Sequence, residues 1–228
     1  MNRLVSLSMV FLMVLAVFLA CNGIQTYTIS GSRPGPTTLV IASTHGNEPA
    51  GFFALRELLS GGIHIERGTV VLVPSVNTCG RCANRRNSLG DFDINRNYPD
   101  KTYLNSQLSR LVERSDWVID LHEGWGFRRL DPRSVGSGIY PGSTQEAASL
   151  AKEIIDGINR SITEPYKRFS TGNIPGVRGS LRDLCNKKKK HYLLVETSGI
   201  NDIQPMSVRK QQHMYIVKKA LGIINGVA

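Results

Sequence analysis

Two histidines and two glutamates stand at the ends of apolar runs that are typical of buried strands. His45 and Glu48 follow one such run, His122 follows a second and Glu196 ends a third. Open α/β sheets carry their chemistry at the carboxyl ends of strands. Two imidazoles and one carboxylate form a ligand set typical of catalytic zinc, which keeps a fourth position for water, and a nearby glutamate can serve that water as a base. The sequence therefore predicts a zinc hydrolase.

This prediction depends on placement, because a His-x-x-Glu pair arises easily by chance. The chain has only five histidines, and two of them end predicted strands beside glycine-rich or acidic turns. The other three histidines lie in polar or helical surroundings. The hypothesis of a metal site therefore depends on His45 and His122 together.

Short apolar runs alternate with longer segments of helical periodicity along the chain. Such alternation is typical of an α/β fold with a largely parallel sheet that helices cover on both faces. Two long segments without periodicity, residues 77–100 and 123–142, begin at the carboxyl ends of predicted strands, so we expect both to overhang the metal. The predicted strands are Thr38–Ser43, Thr69–Pro74, Trp117–Leu121 and Tyr192–Glu196, and the predicted helices are Pro49–Leu59, Tyr103–Arg114, Thr144–Ser161 and Pro205–Asn225.

The length of 228 residues fits one domain that buries its core without help from disulfides or metals. Residues 1–23 are predicted to be a signal peptide or an N-terminal anchor, because residues 4–20 are uncharged and almost wholly apolar and Arg3 precedes them. An uncleaved membrane anchor and a lipid on Cys21 stay open as alternatives. Residues 24–228 then form the catalytic domain of an exported protein, which is periplasmic, secreted or held at the cell surface.

The net charge of +10 favours anionic surroundings such as cell-wall polymers, acidic peptides or nucleic acid. Export argues against nucleic acid, and so does the scarcity of aromatic residues among the arginines of residues 77–100. We therefore expect no nucleic-acid partner. Contact with a membrane is expected only through the N-terminal anchor or a lipid.

The spacing of Cys79 and Cys82 is that of a redox or zinc-binding pair. A structural zinc needs two more ligands nearby, and a redox pair should open a helix; neither context is evident in the sequence. A local disulfide, a disulfide with Cys185 and free thiols are the alternatives that the sequence leaves open.

Five short motifs, spread from about residue 37 to residue 197 in a fixed order, resemble the zinc carboxypeptidase superfamily. The branch of succinylglutamate desuccinylase and aspartoacylase, with related bacterial cell-wall peptidases, is the most similar. The resemblance implies a three-layer α/β/α fold in which a mixed, largely parallel eight-stranded sheet lies between helices. The motifs are Thr44–Gly51, Arg85–Asn87, Asp93–Pro99, Asp120–Gly124 and Val195–Thr197.

The resemblance implies a role for each of the residues that would hold one zinc ion per chain and act on water. His45, Glu48 and His122 match the zinc ligands of the family. Asp93 matches an acidic residue that hydrogen-bonds the first ligand histidine and fixes its tautomer. Glu196 matches the general base.

The same resemblance implies a substrate-binding set. Arg85 matches the arginine that steadies the developing oxyanion, with the adjacent Arg86 as a rival. Asn95 and Arg96 match the pair that grips the free carboxylate of the substrate, and a planar guanidinium suits a carboxylate better than a lysine does. One departure is the mobile-loop tyrosine of the digestive carboxypeptidases, which residues 170–178 lack; Tyr166 lies further upstream.

These residues together predict hydrolysis of an amide bond next to a free carboxylate, in a peptide or in an N-acyl amino acid. Export and basic charge favour a polymeric anionic substrate such as cell-wall peptide, whereas the His45–Glu48 motif resembles the deacylase branch. The motifs do not decide between a metallocarboxypeptidase and a deacylase. A non-catalytic surface binding module that has kept the fold is the alternative, and the intact ligand set and base argue against it.

Overall fold

The computed structural model describes residues 23–227, which form one mixed sheet between two layers of helices. The leader predicted at residues 1–23 lies, apart from its last residue, outside this described part. Among the described helices, none is both long enough and apolar enough to cross a membrane.

Six strands and six α-helices alternate along the described residues. The strands are β1 (Tyr27–Ser30), β2 (Arg33–Ala42), β3 (Arg67–Val73), β4 (Trp117–Gly124), β5 (Gly138–Pro141) and β6 (His191–Ser198). The helices are α1 (Ala50–Ser60), α2 (Thr78–Cys82), α3 (Tyr103–Glu113), α4 (Gln145–Ile158), α5 (Leu181–Lys187) and α6 (Met206–Asn225). Short 3-10 helices lie at Ile94–Arg96, Asn159–Ser161, Pro165–Lys167 and Ile200–Asp202.

The strand order of the sheet is β1-β3-β2-β4-β6-β5. The four inner strands run parallel to one another, and β1 and β5 pair antiparallel at the two edges. The expectation of eight strands is therefore corrected to six for the described residues, and the sheet is mixed. The two edge strands have only four residues each, too few for a period to stand out in the sequence.

Successive side chains of the inner strands point to opposite faces of the sheet and build two separate cores. On one face, α1, α4 and α6 pack on residues such as Val40, Ile119 and Val195. On the other face, α3 and α5 pack on residues such as Leu39 and Val118. This three-layer α/β/α arrangement is the one that the alternating pattern predicts.

All eight elements predicted from the sequence are present, with ends that differ by a few residues. The elements that sequence patterns do not predict are β1, β5, α2 and α5, which have four to seven residues each. Two of them, α2 and β5, lie inside the segments that lack periodicity. Such short elements form because the neighbouring sheet and helices hold them, rather than through their own propensity.

The disulfide pairing of the cysteines differs from two of the predicted alternatives. Cys79 is disulfide-bonded, whereas Cys82 is free and exposed and Cys185 is free and buried. A local Cys79–Cys82 bond and a bond to Cys185 are therefore both wrong. The pair also lies in a short helix, α2, a context that the sequence did not indicate.

Candidate active site

His45, Glu48 and His122 meet at the carboxyl ends of β2 and β4, where all three side chains are buried. The two carboxylate oxygens of Glu48 lie 2.8 Å from Nδ1 of His45 and 2.8 Å from Nδ1 of His122. These two ring nitrogens are 3.2 Å apart. Three donor atoms that converge in this way could hold one metal ion, and two imidazoles with one carboxylate are compatible with zinc. The structure thus brings together the three residues predicted as ligands.

Each ligand histidine turns its other ring nitrogen towards a carboxylate. His45 Nε2 lies 3.3 Å from an oxygen of Asp93, and His122 Nε2 lies 3.1 Å from an oxygen of Asp120. A carboxylate behind an imidazole fixes the tautomer and raises the basicity of the ligand. Asp93 is therefore placed as predicted, beside His45.

Asp120 is a site residue that sequence reasoning missed. It is fully buried and accepts a hydrogen bond of 2.8 Å from the hydroxyl of Tyr192. A local signal was present, because residues two apart in a strand share a face and Asp120 stands two before His122. Burial lowers the pKa of His122, but Asp120 and Glu48 outweigh it and hold that pKa well above the ordinary value.

The loop that carries His45 and Glu48 is fixed by a close approach of backbones. A Cβ on Gly46 would lie 2.0 Å from the carbonyl carbon of Gly80, so only glycine fits there. The N–H of Gly46 donates to the carbonyl of Arg86 at 3.2 Å, and Asn77 Nδ2 donates to the same carbonyl. The backbone of Arg86 is thereby held against the loop of the ligands.

Of the two neighbouring arginines, Arg86 is the one that reaches the site. Its guanidinium donates two hydrogen bonds of 3.2 Å to Asp93 and lies 3.4 Å from Glu48. Arg85 is exposed and does not line the site cavity. Of the two alternatives, the structure thus places Arg86 and not Arg85 at the site, because the contacts that hold the Arg86 backbone orient its side chain inwards.

Glu196 lies directly opposite His122 on the adjacent parallel strand, so their side chains share one face of the sheet. Only 9% of Glu196 is exposed, and burial, reinforced by the charges of Glu48 and Asp120, raises its pKa to about 8 against the opposing effect of His122. A carboxyl group with a pKa near neutrality can take up a proton and pass it on.

Asn95 and Arg96 border the same cavity on the short 3-10 helix after Asp93. The side-chain oxygen of Asn95 accepts from the N–H of Leu181 at 2.9 Å, which leaves its amide NH₂ as the group for a ligand. Arg96 is exposed, and its Nη1 donates to the carbonyl of Asn95 at 2.7 Å. The structure therefore places the predicted pair at the rim.

The cavity around these residues has a volume of about 390 Å³. The segments 77–100 and 123–142 both contribute to its lining, as expected from their position after strands. Arg182 of α5 lines it too and was missed, since no local pattern connects that helix with the site. Tyr166 is not among the lining residues and packs edge-on against Phe127. An apolar wall is formed by Trp125, Val135, Ile174, Pro175, Val177 and Ile200.

Residues 34–126 match the model of the succinylglutamate desuccinylase/aspartoacylase catalytic domain. The matched range contains every site residue predicted from the sequence except Glu196. A comparison with curated protein sequences gives no significant match.

Three solved structures illustrate the structural likeness. The tripeptide-bound cell shape determinant Csd4 from Helicobacter pylori has a TM-score of 0.75 at 21% identity over 89% of this chain and 55% of its own. The ectoine utilization protein EutE (DoeB) from Ruegeria pomeroyi has a TM-score of 0.67 at 17% identity over 90% and 61%. A succinylglutamate desuccinylase from Silicibacter sp. TM1040 has a TM-score of 0.65 at 17% identity over 90% and 61%.

The chain thus spans 55% to 61% of the length of these three proteins. Likeness at such identities shows a shared fold, and the family model adds a match in sequence over residues 34–126. The resemblance to the zinc carboxypeptidase superfamily, in its succinylglutamate desuccinylase/aspartoacylase branch, is thereby confirmed.

Proposed function

We propose that this chain is an exported zinc-dependent hydrolase that cleaves an amide bond next to a free carboxylate, in a peptide or an N-acyl amino acid. The observation that carries the proposal is the convergence, in one cavity, of a buried His45–Glu48–His122 set with a buried carboxyl, Glu196. A binding module without catalysis needs no such carboxyl beside a metal set.

His45, Glu48 and His122 would hold one zinc ion, with Asp93 and Asp120 fixing the two imidazoles. When bound, zinc polarises the scissile carbonyl and lowers the pKa of water. Burial opposes ionisation of Glu48, but the two imidazoles outweigh it and hold its pKa well below the ordinary range. Glu48 is therefore a carboxylate at neutral pH and ready to bind a cation.

Glu196 takes a proton from the attacking water and gives it to the leaving amine. Its position opposite His122 sets it at the metal end of the cavity, and its low exposure keeps bulk water from competing for the proton. Arg86 stabilises the negative charge that develops on the carbonyl oxygen. Asp93 holds the Arg86 guanidinium in place through two hydrogen bonds.

Asn95 and Arg96 bind the free carboxylate of the substrate. The guanidinium presents paired donors to a carboxylate, and the free amide NH₂ of Asn95 adds a neutral donor. Both residues lie at the rim, so a terminal carboxylate can be held while the amide bond beside it reaches the metal set.

The substrate class follows from the relatives and from the charge of the chain. Two structural neighbours are described as an mDAP-bound D,L-carboxypeptidase and as a succinylglutamate desuccinylase, which supports a peptide or an acylated amino acid as the substrate. Three guanidinium groups, those of Arg86, Arg96 and Arg182, face the cavity and favour an anionic substrate such as cell-wall peptide. Export is supported by the apolar leader.

Removal of one ligand should abolish metal binding. We expect about one zinc per chain in the parent protein and little in His122→Ala, because two of the three ligand groups bind zinc far more weakly than three. Elemental analysis after dialysis measures this. His64→Ala, at an exposed histidine outside the site, is the matched control and should keep full zinc. Full occupancy in His122→Ala would remove that residue from the ligand set.

Replacement of the base should separate catalysis from binding. Glu196→Gln should lower kcat by roughly two to four orders of magnitude, because the amide cannot take the proton of the attacking water. Zinc content and the affinity for a competitive inhibitor should stay near the parent values. Steady-state kinetics and inhibitor titration give the two readouts, and a turnover within threefold of the parent would exclude Glu196 as the base.

The two adjacent arginines provide an internal control. Arg86→Ala should lower kcat by about 10²- to 10³-fold, as expected for loss of a donor to a developing oxyanion. Arg85→Ala, one residue away and exposed, should change kcat less than threefold. Kinetics of both variants on one substrate decide the assignment, and the reverse result would restore Arg85.

The carboxylate clamp should act on substrate binding. Arg96→Ala should mainly raise KM, since the guanidinium holds the carboxylate in both ground and transition states. The parent should also discriminate strongly against substrates whose terminal carboxylate is amidated. Equal hydrolysis of amidated and free-acid substrates by the parent would overturn the clamp, whatever the metal content.

A further inference from the structure

A buried ion pair lies directly behind the metal set, on the opposite face of the sheet. Glu123 follows His122 in β4, and its side chain points to the side of α1 and α6, where it pairs with Arg209. Only 2% of Glu123 and 3% of Arg209 are exposed. A buried pair of this kind contributes little net stability compared with apolar residues of the same size, so its presence calls for another role.

Glu123 links β4, which carries His122, to the start of α1, which follows Glu48. One oxygen of its carboxylate accepts from the N–H of Ala50, the first residue of α1, at 2.6 Å. Its backbone N–H donates to Oε2 of Glu48 at 3.2 Å. Glu48 stands two residues before Ala50, and His122 stands one before Glu123. The position of the Glu123 carboxylate therefore sets how Glu48 meets His122.

Arg209, a residue of α6, binds the Glu123 carboxylate. Its Nη1 donates to Glu123 and to the carbonyl of Gly199 at 3.2 Å, and its Nη2 donates to Asp202 at 2.6 Å. The space is filled, because a Cβ on Gly199 would lie 2.0 Å from a Glu123 oxygen. Three acceptors from β4 and the segment after β6 thus depend on one guanidinium.

We propose that Arg209 is a positioning residue for the metal ligands: through Glu123 it fixes the N-terminus of α1 against β4, and so it sets the affinity for zinc without touching the metal. The inference rests on the proposed zinc site. Loss of a residue that orients ligands typically costs 10- to 100-fold in metal affinity. A contact that served only to hold the fold together would leave the geometry of the bound ion unchanged.

The experiment uses the purified chain with zinc or cobalt alone as the probe. Competition with a chromogenic chelator gives zinc affinity, the visible absorption spectrum of the Co²⁺ form reports ligand geometry, and thermal unfolding of the metal-free protein reports stability. Arg209→Met removes the charge and the donors but keeps the length of the side chain. The matched control is Lys210→Met, on the same helix as Arg209, which removes a surface ion pair with Glu57 of α1.

Arg209→Met should bind zinc 10- to 100-fold more weakly and change the Co²⁺ spectrum, while Lys210→Met should change neither. The double variant Glu123→Gln with Arg209→Met leaves no unpaired buried charge, so its metal-free form should recover most of the lost stability. Its zinc affinity should stay at least fivefold below that of the parent, because no side chain of α6 then binds residue 123. Recovery of both properties together would show a merely structural role and would overturn the inference.

If Arg209→Met does not fold, Arg209→Lys tests the inference instead. A lysine keeps the charge but cannot serve three acceptors with the fixed geometry of a guanidinium. We expect a three- to tenfold loss of zinc affinity, and parental affinity in this variant contradicts the inference. Equal zinc affinity of the parent and the Arg209 variants overturns this inference alone, whereas a parent that binds neither zinc nor cobalt overturns the zinc site as well.

Discussion

The arrangement of this molecule depends on one constraint, the burial of the Glu48 carboxylate between two imidazoles. A charged group without solvent is costly unless opposite charges and hydrogen bonds surround it. Four groups surround the Glu48 carboxylate with such interactions. His45 and His122 lie 2.8 Å from its oxygens, the Arg86 guanidinium lies at 3.4 Å, and the N–H of Glu123 donates to it at 3.2 Å. The segments that carry His45, Arg86, His122 and Glu123 contribute to this balance, so the cluster also ties those segments together.

Side chains alternate along β4, so residues with different roles point to opposite faces of the sheet. Asp120 and His122 point to the face of α3 and α5, where the cavity opens, and Glu123 points to the face of α1 and α6. The end of β4 thus carries His122 and its partner Asp120 on one face. On the other face it carries Glu123, whose backbone N–H contacts Glu48. A shift of one residue in the register of β4 would exchange these roles and destroy the site.

The sequence predicts the long elements and the local part of the site, and physical reasons explain what it misses. Strands and helices with several periods are predicted correctly, whereas β1 and β5 have four residues and obtain their structure from neighbours. His45, Glu48 and His122 stand at predictable strand ends. The choice between Arg85 and Arg86 depends on backbone contacts of one loop with Gly46 and Asn77, which no spacing encodes.

Residues contributed by distant helices escape sequence reasoning for a different reason. Arg182 and Arg209 come from α5 and α6, and the packing of those helices on opposite faces of the sheet brings them near the site. Their charges nevertheless have distinct consequences. Arg182 borders the cavity and adds a positive charge there, whereas Arg209 is buried and compensates the charge of the buried Glu123 carboxylate. In the proposed function, the charge that selects the substrate and the support of the zinc ligands would therefore lie on opposite faces of one sheet.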